Sequence, residues 1–332
     1  MLTATRRAVL GLPLAVLAGC AADAVPPAEF DGAAAQEQAR RPEFYTNGEA
    51  RAFLVARDGA DRGTLWGTYH ARYDETTVLP RPMRDRFAAA KRLYVESVLD
   101  RLSPSLRRAL ADERRRGLLT SDAAALAALD PATHQALDDA GVTAEERGKY
   151  SLLGLSMVVA NRAQADLQGP LPGTGIVDVN LMGFARSVSI PVLGLEGISA
   201  AGFRELLFVE PNGPAGAAVL RLALRRRAGQ RGLAAWARAR YAAGTTAALT
   251  AGMVAWRAEP ADLARWDRQR GPLLTQRNQA WLPRLEAALG ESGPTFAAFG
   301  CAHLLGTDGV VALLRSRGWT VQPCVGDRVP GV

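Results

Sequence analysis

Apolar positions along this chain follow two periods. Short runs rich in branched and aromatic residues, bounded by turn residues, read as strands at 53–56, 63–66, 93–99, 190–195, 296–299 and 319–322. The first two are joined by a turn at Asp58-Gly59-Ala60-Asp61. Between the others, apolar residues recur at helical spacing. These stretches run from Pro80 to about Arg92, through 103–168 with breaks at Gly117, Pro131 and Gly141, and then over 176–187, 214–290 and 305–317. Strand, turn, helix and strand follow one another twice, once from 63 to 99 and once from 296 to 322. Each is a βαβ unit, and such units favour parallel pairing. The pattern predicts an α/β fold: a central, mostly parallel sheet surrounded by many helices, with the two units as an internal duplication.

The first twenty residues read differently. Arg6 and Arg7 precede an apolar run over 8–18, and Leu17-Ala18-Gly19-Cys20 closes it. That is a lipoprotein-type signal peptide, with Cys20 as the residue expected to carry acyl chains such as palmitate. The run is shorter than the roughly twenty apolar residues needed to span a bilayer. Thr5-Arg6-Arg7-Ala8 also resembles part of a twin-arginine export signal. Residues 21–40 are rich in Ala, Pro, Asp and Gln without apolar periodicity and read as a disordered tether. Residues 41–332 are then one domain held at the cell envelope, outside the cytoplasm on a periplasm-facing membrane. The competing reading is a cytosolic protein that opens with a chance apolar helix.

Composition adds limits. The net charge is +7, with 48% hydrophobic and 22% charged residues, as expected of a chain that buries a full core. The basic residues are almost all arginine, only Lys91 and Lys149 being lysine. The runs 114–116 and 225–227 fall in amphipathic helical stretches without interleaved aromatics. They read as solvated helix faces, and no nucleic-acid partner is expected. Cys301 follows one strand and Cys324 ends the next, so a disulfide between them is open in an exported protein.

The chemistry concentrates at strand ends. Of three histidines, His70 and His303 stand in the same Gly-x-x-His context after a strand, in Gly67-Thr-Tyr-His70 and Gly300-Cys-Ala-His303. His134 lies in a polar helical stretch. Ligands of open α/β sheets bind outside the carboxyl ends of the strands. If the two strands were neighbours, about 4.8 Å apart, both imidazoles would reach one ion. The glycines would let the backbone turn sharply there. Glu96, inside an apolar strand, and Glu196, at the end of another, are the candidate carboxylates, as ligand, base or both. Arg277 and Asn278 are candidates to bind an anionic group or orient a glutamate. Imidazole with carboxylate suits Mn, Co, Fe or Zn, and such an ion activates water for hydrolysis.

Taken together, Leu65-Trp-Gly-Thr-Tyr-His70, Leu93-Tyr-Val-Glu96, Val192-Leu-Gly-Leu-Glu196, Gln276-Arg-Asn278 and the stretch 299–318 resemble the TraB/GumN family, which includes the Tiki metalloproteases. The resemblance implies that His70 and His303 form the paired metal motif, with Glu96 as their acidic partner, and that Mn or Co supports peptidase activity. Gly197-Ile-Ser stands where the family has Thr and a nearby Gln, so Glu196 carries over less firmly. The expectation is a metal-dependent hydrolase acting on a peptide or small molecule, tethered by lipid. The rivals are an envelope lipoprotein that binds haem or metal without turnover, and a purely structural envelope protein.

Overall fold

Six strands make one sheet in the order β4-β3-β5-β2-β1-β6. They are β1 (Ala52–Arg57), β2 (Ala60–Thr68), β3 (Arg92–Val95), β4 (Val192–Gly194), β5 (Thr295–Gly300) and β6 (Thr320–Pro323). The computed structural model describes residues 27–69, 79–98, 104–165, 177–196 and 210–324. Only β1 runs against the rest, pairing antiparallel with both β2 and β6. The β2–β5, β5–β3 and β3–β4 pairs are parallel. The two expected βαβ units therefore interleave: β5 lies between β2 and β3, and β1 and β2 lie between β5 and β6. The sheet is mostly parallel and helix-covered, as the pattern predicts.

Strand residues alternate between two faces, as the period of two requires. Ala52, Trp66, Leu93, Val95, Phe296 and Ala298 share one core. It is covered by helices α1 (Pro27–Arg40), α2 (Arg81–Ala89), α8 (Val177–Ser187), α10 (Gln230–Ala242) and α11 (Thr246–Ala255). Phe53, Val55, Leu65, Tyr94, Ala297 and Phe299 form the opposite core, under α13 (Gln276–Gly290) and α14 (Val310–Ser316). Helices α3 (Pro104–Leu118), α4 (Ala123–Ala127), α5 (Pro131–Asp139), α6 (Ala144–Lys149) and α7 (Leu152–Ala165) precede α8, and α9 (Pro214–Arg226) and α12 (Pro260–Arg270) follow it. Leu137, Leu155, Val159 and Leu220 give this all-helical side a small core of its own. Local signals set its breaks: Asp130 caps α5 ahead of Pro131, and Thr143 with Glu146 forms a capping box. No helix among the described residues is long and apolar enough to cross a membrane.

Four expectations need correction. Residues 21–40 were read as a disordered tether, but from Pro27 onward they form α1, which packs on α11. Phe30 is buried against Trp236 and Trp256, at ring distances of 5.8 and 4.9 Å. The indole N–H groups of those tryptophans donate to Asp31 and Glu29. The helix carries few apolar residues because much of its anchorage is polar. Glu37, fully buried, accepts from Arg40 and from the Tyr45 hydroxyl. Residues 21–26, like the signal with Cys20, lie outside the described residues.

The arginine run at 225–227 is not simply a solvated face. Arg225 donates to the Arg257 carbonyl and to Asp262, and Arg226 to the Val254 and Trp256 carbonyls, which satisfies the end of α11. Burial lowers the Arg226 pKa to about 10. Arg114, Arg115 and Arg116, by contrast, are exposed. The third correction concerns Cys301 and Cys324, which are both buried free thiols. Three strand spacings separate their strands, roughly 14 Å, whereas a disulfide needs Cα atoms within about 7 Å. Finally, β3 stops at Val95, so Glu96 follows the strand rather than interrupting it.

Phe30 is 1% exposed. Phe30→Ala should therefore cost about 3–5 kcal/mol in denaturant unfolding. A loss under about 0.5 kcal/mol, the level of surface substitutions, would mean that this segment is the loose tether its composition suggests.

Candidate functional site

The parallel strands β4, β3, β5 and β2 all deliver their carboxyl ends to one edge of the sheet. Backbone hydrogen bonds continue past the first two: Leu195 N–H donates to the Val95 carbonyl and Glu196 N–H to the Glu96 carbonyl, at 2.8 and 3.1 Å. The two glutamates are thereby set side by side. Next to them, β5 ends at Gly300 and turns through Cys301–Leu304, a single 3₁₀ turn that carries His303. On its far side β2 ends in register, Thr68 opposite Gly300.

The neighbourhood of strands required for a paired-histidine site is met, since β2 and β5 are adjacent and parallel. His70 itself lies outside the described residues. The glycines act by a different route from the one expected. Gly300 has φ −49° and ψ 133°, an ordinary extended conformation. A Cβ on Gly67 would come within 2.9 Å of the Cys301 Cβ and 2.7 Å of a Leu304 methyl. Gly67 is required for close approach of the strand to the turn, not for a sharp bend.

Helix α13 supplies the rest. It is preceded by a π-helical turn, Gly271–Thr275, containing Pro272. Arg277, one residue into α13, reaches across the strand ends. Its Nη2 donates to Glu96 Oε2 at 2.5 Å and to Glu196 Oε1 at 3.1 Å, and its Nε donates to Glu196 Oε2 at 2.9 Å. Its Nη1 lies 3.3 Å from His303 Nε2. The guanidinium rests over the Trp281 ring at 4.7 Å, and the same ring stacks on His303 at 4.4 Å. Asn278, buried, sends its amide Nδ2 to the Asp308 carbonyl at 3.0 Å, which turns its Oδ1 toward His303 Nδ1 at 2.6 Å. An amide oxygen only accepts, so Nδ1 carries the proton and Nε2 faces the cluster. His303 Nε2 lies 3.7 Å from Glu96 Oε1.

Glu96 is held ionised. Burial raises its pKa, but the charges of His303 and Arg277, the Gly300 N–H at 2.7 Å and the Arg277 hydrogen bond outweigh that and bring it to about 2. The Arg277 pKa is raised: burial lowers it, and Glu96 and Glu196 more than compensate.

Glu96, Glu196, Arg277, Asn278 and His303, chosen from sequence, thus meet at one place, while His134 stays on α5, away from it. Sequence reasoning missed three contributors. Ser97 donates to Glu196 Oε1 at 2.7 Å, Trp281 supports two members of the cluster, and Asp308 receives Thr275 and faces Arg270. Position carried a signal for two of them, since Ser97 follows Glu96 and Trp281 stands one helical turn beyond Arg277.

As for a metal, His303 Nε2 and the Glu96 carboxylate are the right donor types, and the Asn278 oxygen orients the imidazole as outer partners of ligand histidines do. Among the described residues, no group of three His, Cys, Asp or Glu side chains is spaced to hold an ion. A full donor set would need His70.

The Glu96 pKa has a consequence for stability. Its folded value of about 2 lies below its ordinary value of 4.5. The stabilisation is therefore complete above pH 4.5 and is lost as pH falls from there toward 2, a change of about 3 kcal/mol. Urea unfolding of the metal-free protein across that range should show this loss, and Glu96→Gln should flatten it. An unchanged slope in the variant would contradict the assignment.

No curated protein and no solved structure matches the chain. The TraB/PrgY/gumN family model matches residues 52–323, a span that runs from β1 to the end of β6 and contains every site residue described above. The chain belongs to the TraB/PrgY/gumN family.

Proposed function

We propose that this protein is a metal-dependent hydrolase whose substrate is a peptide amide, with His70, His303 and Glu96 as ligands for Mn, Co or Zn. The observation that carries this reading is the convergence of His303, Glu96, Glu196 and Arg277 at the carboxyl ends of adjacent parallel strands, beside the end of the strand that leads to His70. The ion would supply Lewis acidity and lower the pKa of a bound water. In the reaction, water adds to the carbonyl, the amide C–N bond breaks, and the leaving nitrogen takes a proton.

The chain's own residues divide the remaining work. A carboxylate held near pKa 2 is a weak base, so Glu96 suits ligation better than proton abstraction. Arg277 holds the two glutamates at fixed spacing and sets a positive charge beside a developing oxyanion. Asn278 keeps His303 turned inward. Glu196, whose oxygens are taken by Arg277 and the Ser97 hydroxyl, is a second carboxylate that positions Arg277. We further propose that acylation at Cys20 tethers the domain to the periplasm-facing side of the envelope.

Metal analysis of the purified protein should find about one divalent ion per chain, and chelation should abolish peptide cleavage, which Mn or Co then restores. His70→Ala, His303→Ala and Glu96→Gln should each lower kcat/KM by 100-fold or more, about 3 kcal/mol of transition-state stabilisation. Metal-free preparations, or cleavage untouched by His70→Ala, would overturn the proposal. A Soret band on haem titration without metal-stimulated cleavage would favour a binding protein instead. In cells, Cys20→Ser should abolish labelling by a palmitate analogue, and label retained in that variant would refute anchoring there.

A further inference from the structure

Beside the acid cluster lies an open groove of about 560 Å³, lined by Leu195, Glu196, Pro272, Arg277, Trp281 and Arg284 among others. It shares Glu196 and Arg277 with the cluster, so a ligand lying along its length reaches the cluster. Its long wall is α13. Arg277, Ala280, Trp281 and Arg284 stand at i, i+3, i+4 and i+7, on one helix face. The middle of that wall is apolar, and its two ends are cationic.

The two cations differ. Arg277 is matched by two carboxylates. Arg284 has no carboxylate partner among the described residues. Its Nη1 donates to the Gly194 and Leu195 carbonyls at 2.9 and 3.2 Å. These bonds orient the guanidinium at the end of β4 and leave its Nε and Nη2 donors without a protein acceptor among the described residues. Two adjacent donors on an oriented guanidinium suit one ligand, a planar carboxylate, bound by both oxygens.

We propose that this groove is a subsite for the free C-terminus of a peptide, with the terminal carboxylate on Arg284 and an apolar side chain against Ala280, Pro272 and Pro283. The inference rests on the peptidase reading and narrows it to a carboxyl-end exopeptidase. Seven helical residues advance about 10 Å, and extended chain advances about 3.3 Å per residue. A carboxylate at Arg284 therefore places an amide some two or three residues upstream at the Arg277 cluster. Hydrolysis there releases a short C-terminal fragment.

Binding tests this apart from catalysis. N-acetyl-Ala-Ala-Phe with a free carboxylate, and the same peptide amidated, are titrated calorimetrically into the metal-free full-length chain. The acid should bind about tenfold or more tighter than the amide, as a charge-assisted bidentate contact requires. Arg284→Gln should bring the two within about twofold, a ratio that a merely structural Arg284 would not move. Ala280→Trp, which fills the groove, should weaken both. Equal binding of acid and amide by the wild type overturns the subsite. So does a preference that survives Arg284→Gln, or no binding of either peptide. A clear acid preference in a protein that never shows metal-stimulated cleavage would support the subsite and defeat the hydrolase reading alone.

Discussion

One guanidinium holds this site together. Two carboxylates brought side by side at the edge of a sheet repel, and each loses hydration on burial. Arg277 answers both charges at once, with Nη2 shared between Glu96 and Glu196 and Nε on Glu196. Its planar fork suits this where an ammonium point charge would not. Removing either side of such an arrangement strands charge in a poorly hydrated place, which is more damaging than losing an exposed ion pair. The Gly300 N–H and Ser97 hydroxyl complete the hydrogen bonding of the two acids.

That interaction sets demands on the surrounding backbone. Arg277 must enter from above the strand ends, so α13 has to begin close to the edge of the sheet. A π turn with Pro272 brings it there, an irregularity of the kind that recurs at functional sites. The start of α13 is secured through Asp308, which receives the Thr275 hydroxyl and, through its carbonyl, the Asn278 amide. Asn278 then fixes His303. A short chain of hydrogen bonds thus links helix, loop and imidazole, while Trp281 seals the cluster from below.

The arginine-rich composition acquires a structural meaning as well. Arg225 and Arg226 close the carboxyl end of α11, and Arg51 lies between Trp66 and Tyr241 at 4.9 and 5.0 Å while donating to the Tyr241 carbonyl. Guanidinium groups serve here because they bond several carbonyls and stack on aromatic faces together. Part of the positive charge therefore belongs to the interior of the helical layers and not to a binding surface.

The strands, most of the helices and the residues at the strand ends were legible in the chain itself. Hydrophobic period, proline and glycine punctuation and cap residues are local, and a Gly-x-x-His repeated after two strands is visible without coordinates. What lay beyond reach was everything set by pairing between distant segments. That β5 slots between β2 and β3 decides that the two motif-bearing strands touch, and no local pattern encodes strand order. The same placement separates Cys301 from Cys324 and turns Gly67 into a point of close contact. Whether Arg277 would bind an anionic group or orient a glutamate was settled only when the fold set two carboxylates against it. Helix α1 looked like a tether because its burial depends on indole and tyrosine partners on other segments, and periodicity along one segment does not register a partner that far away.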